Sequence, residues 1–131
     1  MYKNIIVDNT QAFFQKPVES VDTIYTCRKY FGVPDGAYLN TDVLDEYKLI
    51  EKDISYQRVE HLLGRFETNA NAFYSKFKEN DDLLADIPIR RMSRLTQNIL
   101  CGIDYEKIKK IRKENFQFFD NHLNEVNQLK I

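Results

Sequence analysis

The hydrophobic pattern of this chain changes period part-way along, and that switch limits what it can fold into. Up to residue 26 the apolar residues come in short β-branched runs, Ile5-Ile6-Val7 closing on Asp8 and a second run over residues 21–26. Runs of this kind predict buried strands over residues 3–8 and 21–26. Ala37-Tyr38-Leu39 predicts a third short strand. From about residue 53 the pattern is helical: Tyr56, Val59, Leu63, Phe66, Ala70, Phe73 and Phe77 recur at spacings of 3, 4, 3, 4, 3 and 4. That is one amphipathic stripe, widened by Leu62 and Tyr74, and it predicts a single long helix ending at Asn80-Asp81-Asp82. The fold class is therefore α/β and predominantly helical, with two or three N-terminal strands followed by three to four amphipathic helices.

Between these parts, Asn40-Thr41-Asp42 offers a helix start, with Val43, Leu44, Tyr47 and Ile50 as its apolar face. Gly64 lies inside the long stripe, where it costs about 1 kcal/mol against alanine, and a small residue there lets another element pack closely. Pro88 breaks the chain before a helix running from Arg91 to Cys101, with Met92, Leu95, Ile99 and Leu100 on one face and Gly102 just past its end. Asp104 caps a last helix to about Gln128, with Tyr105, Ile108, Ile111, Phe118 or Phe119, Leu123 and Val126 inward.

Composition narrows the function classes. At 131 residues, 43% apolar and 13% aromatic, the chain can supply one core, and a chain of this size buries roughly two-thirds of its unfolded surface. A net charge of −1 gives no general pull towards nucleic acid or anionic membrane. The basic run Lys107, Lys109, Lys110, Arg112 and Lys113 lacks interleaved aromatic residues and reads as a solvated helix face. No apolar run approaches the ~20 residues of a membrane span, and residues 1–8 do not read as a signal peptide. Cys27 and Cys101 lie far apart, and His61 and His122 add no ligand cluster, so no metal site is expected. Reduced thiols and a cytoplasmic protein are the simplest expectation.

The chemistry-bearing stretch is residues 25–37. It holds two of the four glycines, one of the three prolines and one of the two cysteines. It also sets Lys29 just after an apolar strand and just before a glycine turn. Upstream, Asp8 closes a buried strand, at the carboxyl end where open α/β sheets hold their ligands, and Gln11 follows three residues later. A lysine amine and a carboxylate on neighbouring strand ends suit pyridoxal chemistry. The amine forms a Schiff base and moves a proton, while the carboxylate keeps a pyridine nitrogen protonated so that the ring acts as an electron sink. On the residues alone, Asp8 also reads as a turn or helix cap and Lys29 as an ordinary strand-end lysine.

These stretches resemble the C-terminal portion of the DegT-like, fold-type I sugar aminotransferases, a pyridoxal-phosphate-dependent family found among nucleotide-sugar and polysaccharide enzymes. Asp8-Asn9-Thr10-Gln11-Ala12 is similar to the family's Asp-x-x-Gln/His-Ala motif, and Lys29 through Gly36 to its lysine-to-glycine segment. Ser55-x-x-Arg58 through His61-Leu62-Leu63-Gly64-Arg65, Met92 through Thr96, and Asp104 through Phe116 also look familial. The resemblance implies Lys29 as the catalytic lysine, with Asp8 at the pyridine nitrogen, Gln11 near the ring hydroxyl, and Thr26 and Gly36 as further cofactor-binding residues. It also implies a nucleotide-sugar substrate for the parent enzyme. The sequence departs from the family pattern at Ile24, where the family has a serine for the phosphate. Thr26 is the nearest hydroxyl to take that part. The family's small-residue pair is reduced to Gly36-Ala37, and its Asn-Arg-Met segment is absent after Gly36.

The resemblance also implies an incomplete protein. Residues 1–40 correspond to a strand-rich remnant of the cofactor-binding large domain, and residues 41–131 to a helical region with part of the small domain. The phosphate-binding turn and the ring-stacking aromatic of such enzymes have no counterpart here. The expectation is an aminotransferase-like polypeptide, inactive alone, that binds pyridoxal phosphate weakly or not at all. Its missing N-terminal half or a second copy would cover an exposed sheet edge. The alternative is a non-catalytic helical module for interaction or dimerisation.

Overall fold

The computed structural model describes residues 5–43 and 50–126. Contacts divide the chain into two compact units, Met1–Cys101 and Gly102–Ile131, so the boundary falls inside the helical region.

The first unit holds a three-stranded sheet in the order β1 (Ile6–Asp8), β2 (Asp22–Thr26), β3 (Ala37–Asn40). β1 runs parallel to β2, with Val7 opposite Thr23 and Asp8 opposite Ile24. β3 returns antiparallel, with Tyr25 opposite Tyr38 and Thr26 opposite Ala37. The three expected strands are present. β2 is paired on both edges, and its Thr23 and Tyr25 are buried, as alternation along a central strand requires. β1 is not buried: Ile5 and Ile6 are 56% and 64% exposed, so the β-branched run expected inside a sheet lies on an edge of this one.

Residues 9–21 connect β1 to β2 without a helix and are pinned by aromatic side chains instead. The Phe13 ring lies 4.7 Å from Phe31, 5.5 Å from Tyr30, 6.1 Å from Tyr25 and 6.2 Å from Tyr38, centroid to centroid. The contacts with Tyr25 and Phe31 are edge-to-face, the geometry the ring quadrupole favours. The Tyr25 hydroxyl donates to the Gln15 carbonyl at 2.9 Å, which fixes the far end of the loop.

The long helix expected over residues 53–79 is two. A 3₁₀ turn (Tyr56–Val59) leads into α1 (Glu60–Glu67), and α2 follows at Tyr74–Asp86. The break has a physical cause in residues 68–73. Thr68 and Asn69 are weak helix formers whose side chains bond to nearby backbone. The Thr68 hydroxyl donates to the Gly64 carbonyl at 3.2 Å, and Asn69 Oδ1 accepts from the Ala72 amide at 3.0 Å. The chain then folds back, and the Phe73 ring covers Gly64 so closely that a Cβ there would lie 2.2 Å from ring atoms. Gly64 thus packs closely, as expected, but against its own hairpin. The stripe is largely exposed, with Leu63 at 63% and Phe66 at 83%. Nor does helix end at Asn80-Asp82. α2 continues to Asp86 and stops because Pro88 forces Ile87 into extended backbone, ψ 149°.

α3 (Arg94–Cys101) begins three residues later than expected. The Ser93 hydroxyl accepts from the Thr96 amide at 3.1 Å and caps it. Leu100 and Thr96 form its buried face. Arg91 pairs instead with the segment around Lys52. In the second unit, α4 (Tyr105–Leu123) is capped by Asp104 as expected, with Oδ1 accepting from the Lys107 amide at 2.9 Å. Its expected inward residues are not buried: Ile111, Phe118, Phe119, Leu123 and Val126 are all exposed. The helix expected after Asn40-Thr41-Asp42 would occupy residues 44–49, which lie outside the described residues. Among the described residues, no helix is long and apolar enough to cross a membrane.

Candidate functional site

β1 and β2 end on the same side because they are parallel. Asp8 closes β1 level with Ile24, β2 runs two residues further to Thr26, and Lys29 follows in the turn. That turn is tight: the Tyr30 and Phe31 amides both donate to the Cys27 carbonyl at 3.0 Å, and Val33 donates to Phe31 at 2.8 Å. It closes where Cys27 donates to the Gly36 carbonyl at 2.9 Å, so residues 28–35 form a loop held at its neck. The two strand-end loops are joined, since the Tyr30 hydroxyl donates to the Gln11 carbonyl.

Asp8 and Lys29 are both exposed. The Asp8 carboxylate is held below the ordinary carboxylate range. The Thr10 amide, donating to Oδ1 at 2.8 Å, is the main cause; the Thr10 hydroxyl and the charge of Lys29 add to it. Asn9, next in sequence, is buried, and its Nδ2 has no hydrogen-bond partner. A buried unsatisfied donor costs about 1–3 kcal/mol.

Thr26 and Gly36 fall together elsewhere. Both line a cleft of about 340 Å³ with Arg28, Arg90, Arg91 and Met92. Gly36 has φ +102°, and a Cβ there would lie 2.9 Å from Thr96 Cγ2 and 3.2 Å from Met92 Cε. Its missing side chain makes room for the start of α3. Gln11 is exposed and meets Tyr30 through its backbone. The five expected site residues thus form two groups, Asp8, Gln11 and Lys29 at the strand ends and Thr26 with Gly36 in the cleft.

A buried polar network stands behind the Lys29 loop. Asp35, one residue before Gly36, accepts from Arg58 Nε at 3.1 Å, from Arg58 Nη2 at 2.7 Å and from the Thr96 hydroxyl at 2.6 Å. Arg58 also binds Asp53. The Ser55 and Ser93 hydroxyls meet at 2.5 Å. Burial works against the charge on Arg58, but the two carboxylates outweigh it and raise its pKa. Cys27, fully buried, has its thiol pushed up to about 12 by burial and then by Asp35, so it is no nucleophile. Among the described residues, no group of three or more His, Cys, Asp or Glu could hold a metal ion.

Sequence reasoning set no role on Asp35, Asp53, Arg58 or Thr96. Pro34-Asp35-Gly36 reads as a turn, and nothing within it signals an arginine 23 residues away. Of these residues, Asp35, Arg58 and Thr96 fell within family-like stretches and Asp53 did not. No family model, curated protein or solved structure matches the chain.

Proposed function

We propose that the chain is part of a pyridoxal-phosphate-dependent aminotransferase-like protein, related to enzymes of nucleotide-sugar and polysaccharide biosynthesis, and that it is inactive alone. One observation carries this reading. Asp8 closes β1 and Lys29 follows three residues past β2, at the same end of two adjacent parallel strands.

The residues at this end fit the cofactor. Lys29 offers an exposed amine to an aldehyde, and Asp8 offers a carboxylate kept ionised by Thr10. Asn9 Nδ2 is a buried donor still without an acceptor beside them. Pyridoxal phosphate, when bound, supplies an electron sink for breaking a C–H bond next to an amine. Asp8 would hold the proton on the pyridine nitrogen, with Gln11 near the ring hydroxyl. Lys29 Nζ would anchor the aldehyde carbon and carry a proton to and from the substrate. Thr26 and Gly36, which the resemblance assigns to the cofactor, line the separate cleft and take no part at this end.

Inactivity alone follows from exposure. Asp8, Gln11 and Lys29 all face solvent, whereas this chemistry needs an enclosed site that keeps water out. The walls would come from an N-terminal half or from a second copy. A non-catalytic interaction or dimerisation module is the second reading. The exposed Phe116, Phe118, Phe119, Leu123 and Val126 of the second unit favour it.

Incubation with pyridoxal phosphate, borohydride reduction and mapping of the adduct by mass separate the two. Selective labelling of Lys29 is expected, lost in Lys29→Met and weakened in Asp8→Asn. Label spread evenly over surface lysines would overturn the aminotransferase reading and leave the module.

A further inference from the structure

A second pocket opens beside the Arg28–Lys29 turn. It measures about 240 Å³ and is closed by α1 and α2, with Leu62 and Phe77 among its apolar walls. Its polar lining is one-sided. Arg28 and Lys29 come from the turn, and His61 and Arg65 lie four residues apart on one face of α1. The acid in the lining is Asp81 of α2, which binds Arg28 at 2.7 Å. Three cations against one carboxylate leave a net charge of +2 on the lining. Lys29 and Arg65 have no ion-pair partner among the described residues.

His61 also lines the pocket. Asn80 Nδ2 donates to the Arg58 carbonyl at 3.1 Å and lies 3.0 Å from His61 Nδ1. With the amide so oriented, Nδ1 accepts and Nε2 carries the proton. Burial is the main cause that lowers the His61 pKa; the Arg58 carbonyl works against it, and Arg65 and Arg28 lower it further. Both guanidiniums line the same pocket as the ring. Like charges gathered around a small pocket repel one another unless an anion joins them.

We propose that this pocket binds a small phosphate monoester, with Arg65 and Arg28 on the phosphate and Leu62 and Phe77 against the organic group. A dianion cancels the excess of two charges, and the planar guanidinium fork matches phosphate oxygens. The volume lies below the ~300 Å³ of ordinary ligand pockets, which selects a small molecule. The pocket shares Arg28 with the Thr26 cleft and Lys29 with the strand-end site, but the inference rests on the charge and size of its own lining and not on the aminotransferase reading.

The test uses probes that cannot form a bond with Lys29. Inorganic phosphate and glycerol 3-phosphate are titrated into the full chain at constant ionic strength, followed by calorimetry and amide chemical shifts. Saturable binding is expected, with shifts centred on residues 28–34 and 61–65, tighter for the ester than for inorganic phosphate. Glutarate, a dicarboxylate of the same charge, should bind more weakly. Arg65→Gln should weaken the ester about tenfold, the loss of one charged hydrogen-bonding partner. Lys109→Gln, in the basic run of the second unit, should leave binding unchanged. An unchanged amide spectrum away from residue 65 verifies that Arg65→Gln is folded. Non-saturable binding, equal losses in the two variants, or shifts centred on α4 would each overturn the proposal.

Discussion

The strand-end site and the polar network behind it contain similar residues in opposite situations. Asp8 and Lys29 are exposed, and one short bond to Thr10 accounts for most of the order at the carboxylate. Asp35 and Arg58 are 7% exposed each and bind each other twice, with Thr96 and Asp53 completing the set. The residues that looked chemical are lightly held, and the residues that looked like turn and surface are the interior. Among the described residues, six apolar side chains, Pro34 included, and eight polar ones are buried, so polar pairing carries much of the order in the first unit. A charge buried with partners makes structure, whereas exposed charges at a strand end are left available to something else.

The largest effect that would break this contrast comes from Arg58→Met. The substitution keeps volume but leaves Asp35 and Asp53 without their cation. Breaking a buried pair from one side costs about 3–5 kcal/mol, a large part of the stability of a small domain. Urea denaturation should show a midpoint loss of that order, and Lys29→Met should show almost none. Equal, small losses in both would mean that the network is not the interior support described here.

How far the sequence foretold this contrast depends on the range over which each feature is determined. The strands and α4 were legible because their signals are local: β-branched runs for β1 and β2, and Asp104 for the cap of α4. That Asp8 closes β1 and Lys29 follows β2 was legible from the ends of the two apolar runs, while the parallel pairing of those strands was not read from the sequence. The α1–α2 break was missed because the 3-and-4 spacing runs on through Ala70 and Phe73 while Thr68 and Asn69 turn the backbone underneath it. Its deciding contact, Phe73 on Gly64, belongs to the hairpin and has no helical period. The polar network was illegible for a stronger reason. Asp35 meets Thr96 61 positions away, and no window of sequence contains both.

Gly36→Ala tests the next largest effect and sharpens the division between site and support. The resemblance makes Gly36 a cofactor residue, yet its φ of +102° and the 2.9 Å approach of Thr96 give it a packing role without any ligand. A methyl there meets a β-branched side chain whose hydroxyl is already committed to Asp35. Strain and overpacking together should cost about 2–3 kcal/mol. The loss should appear in thermal unfolding of the ligand-free chain. Full stability with impaired pyridoxal phosphate labelling would return Gly36 to the cofactor.

The smallest effect concerns Asp8 and is read by titration rather than unfolding. Its carboxyl should titrate below the ordinary value of about 3.9, because Thr10 and then Lys29 favour the charged form. A folded-state pKa lowered in this way gives stability that is present above the unfolded value. That stability is lost as the pH falls from about 3.9 through the lower folded value. Thr10→Ala removes the hydroxyl but keeps the amide, so it should raise the Asp8 pKa only in part. Lys29→Met should raise it by less again, since the lysine is the weaker influence. Carbon-detected NMR of the Asp8 side chain resolves both shifts. If Lys29→Met left the Asp8 titration unmoved while Thr10→Ala shifted it, the two groups would be out of electrostatic reach. The strand-end pair would then be two separate surface residues.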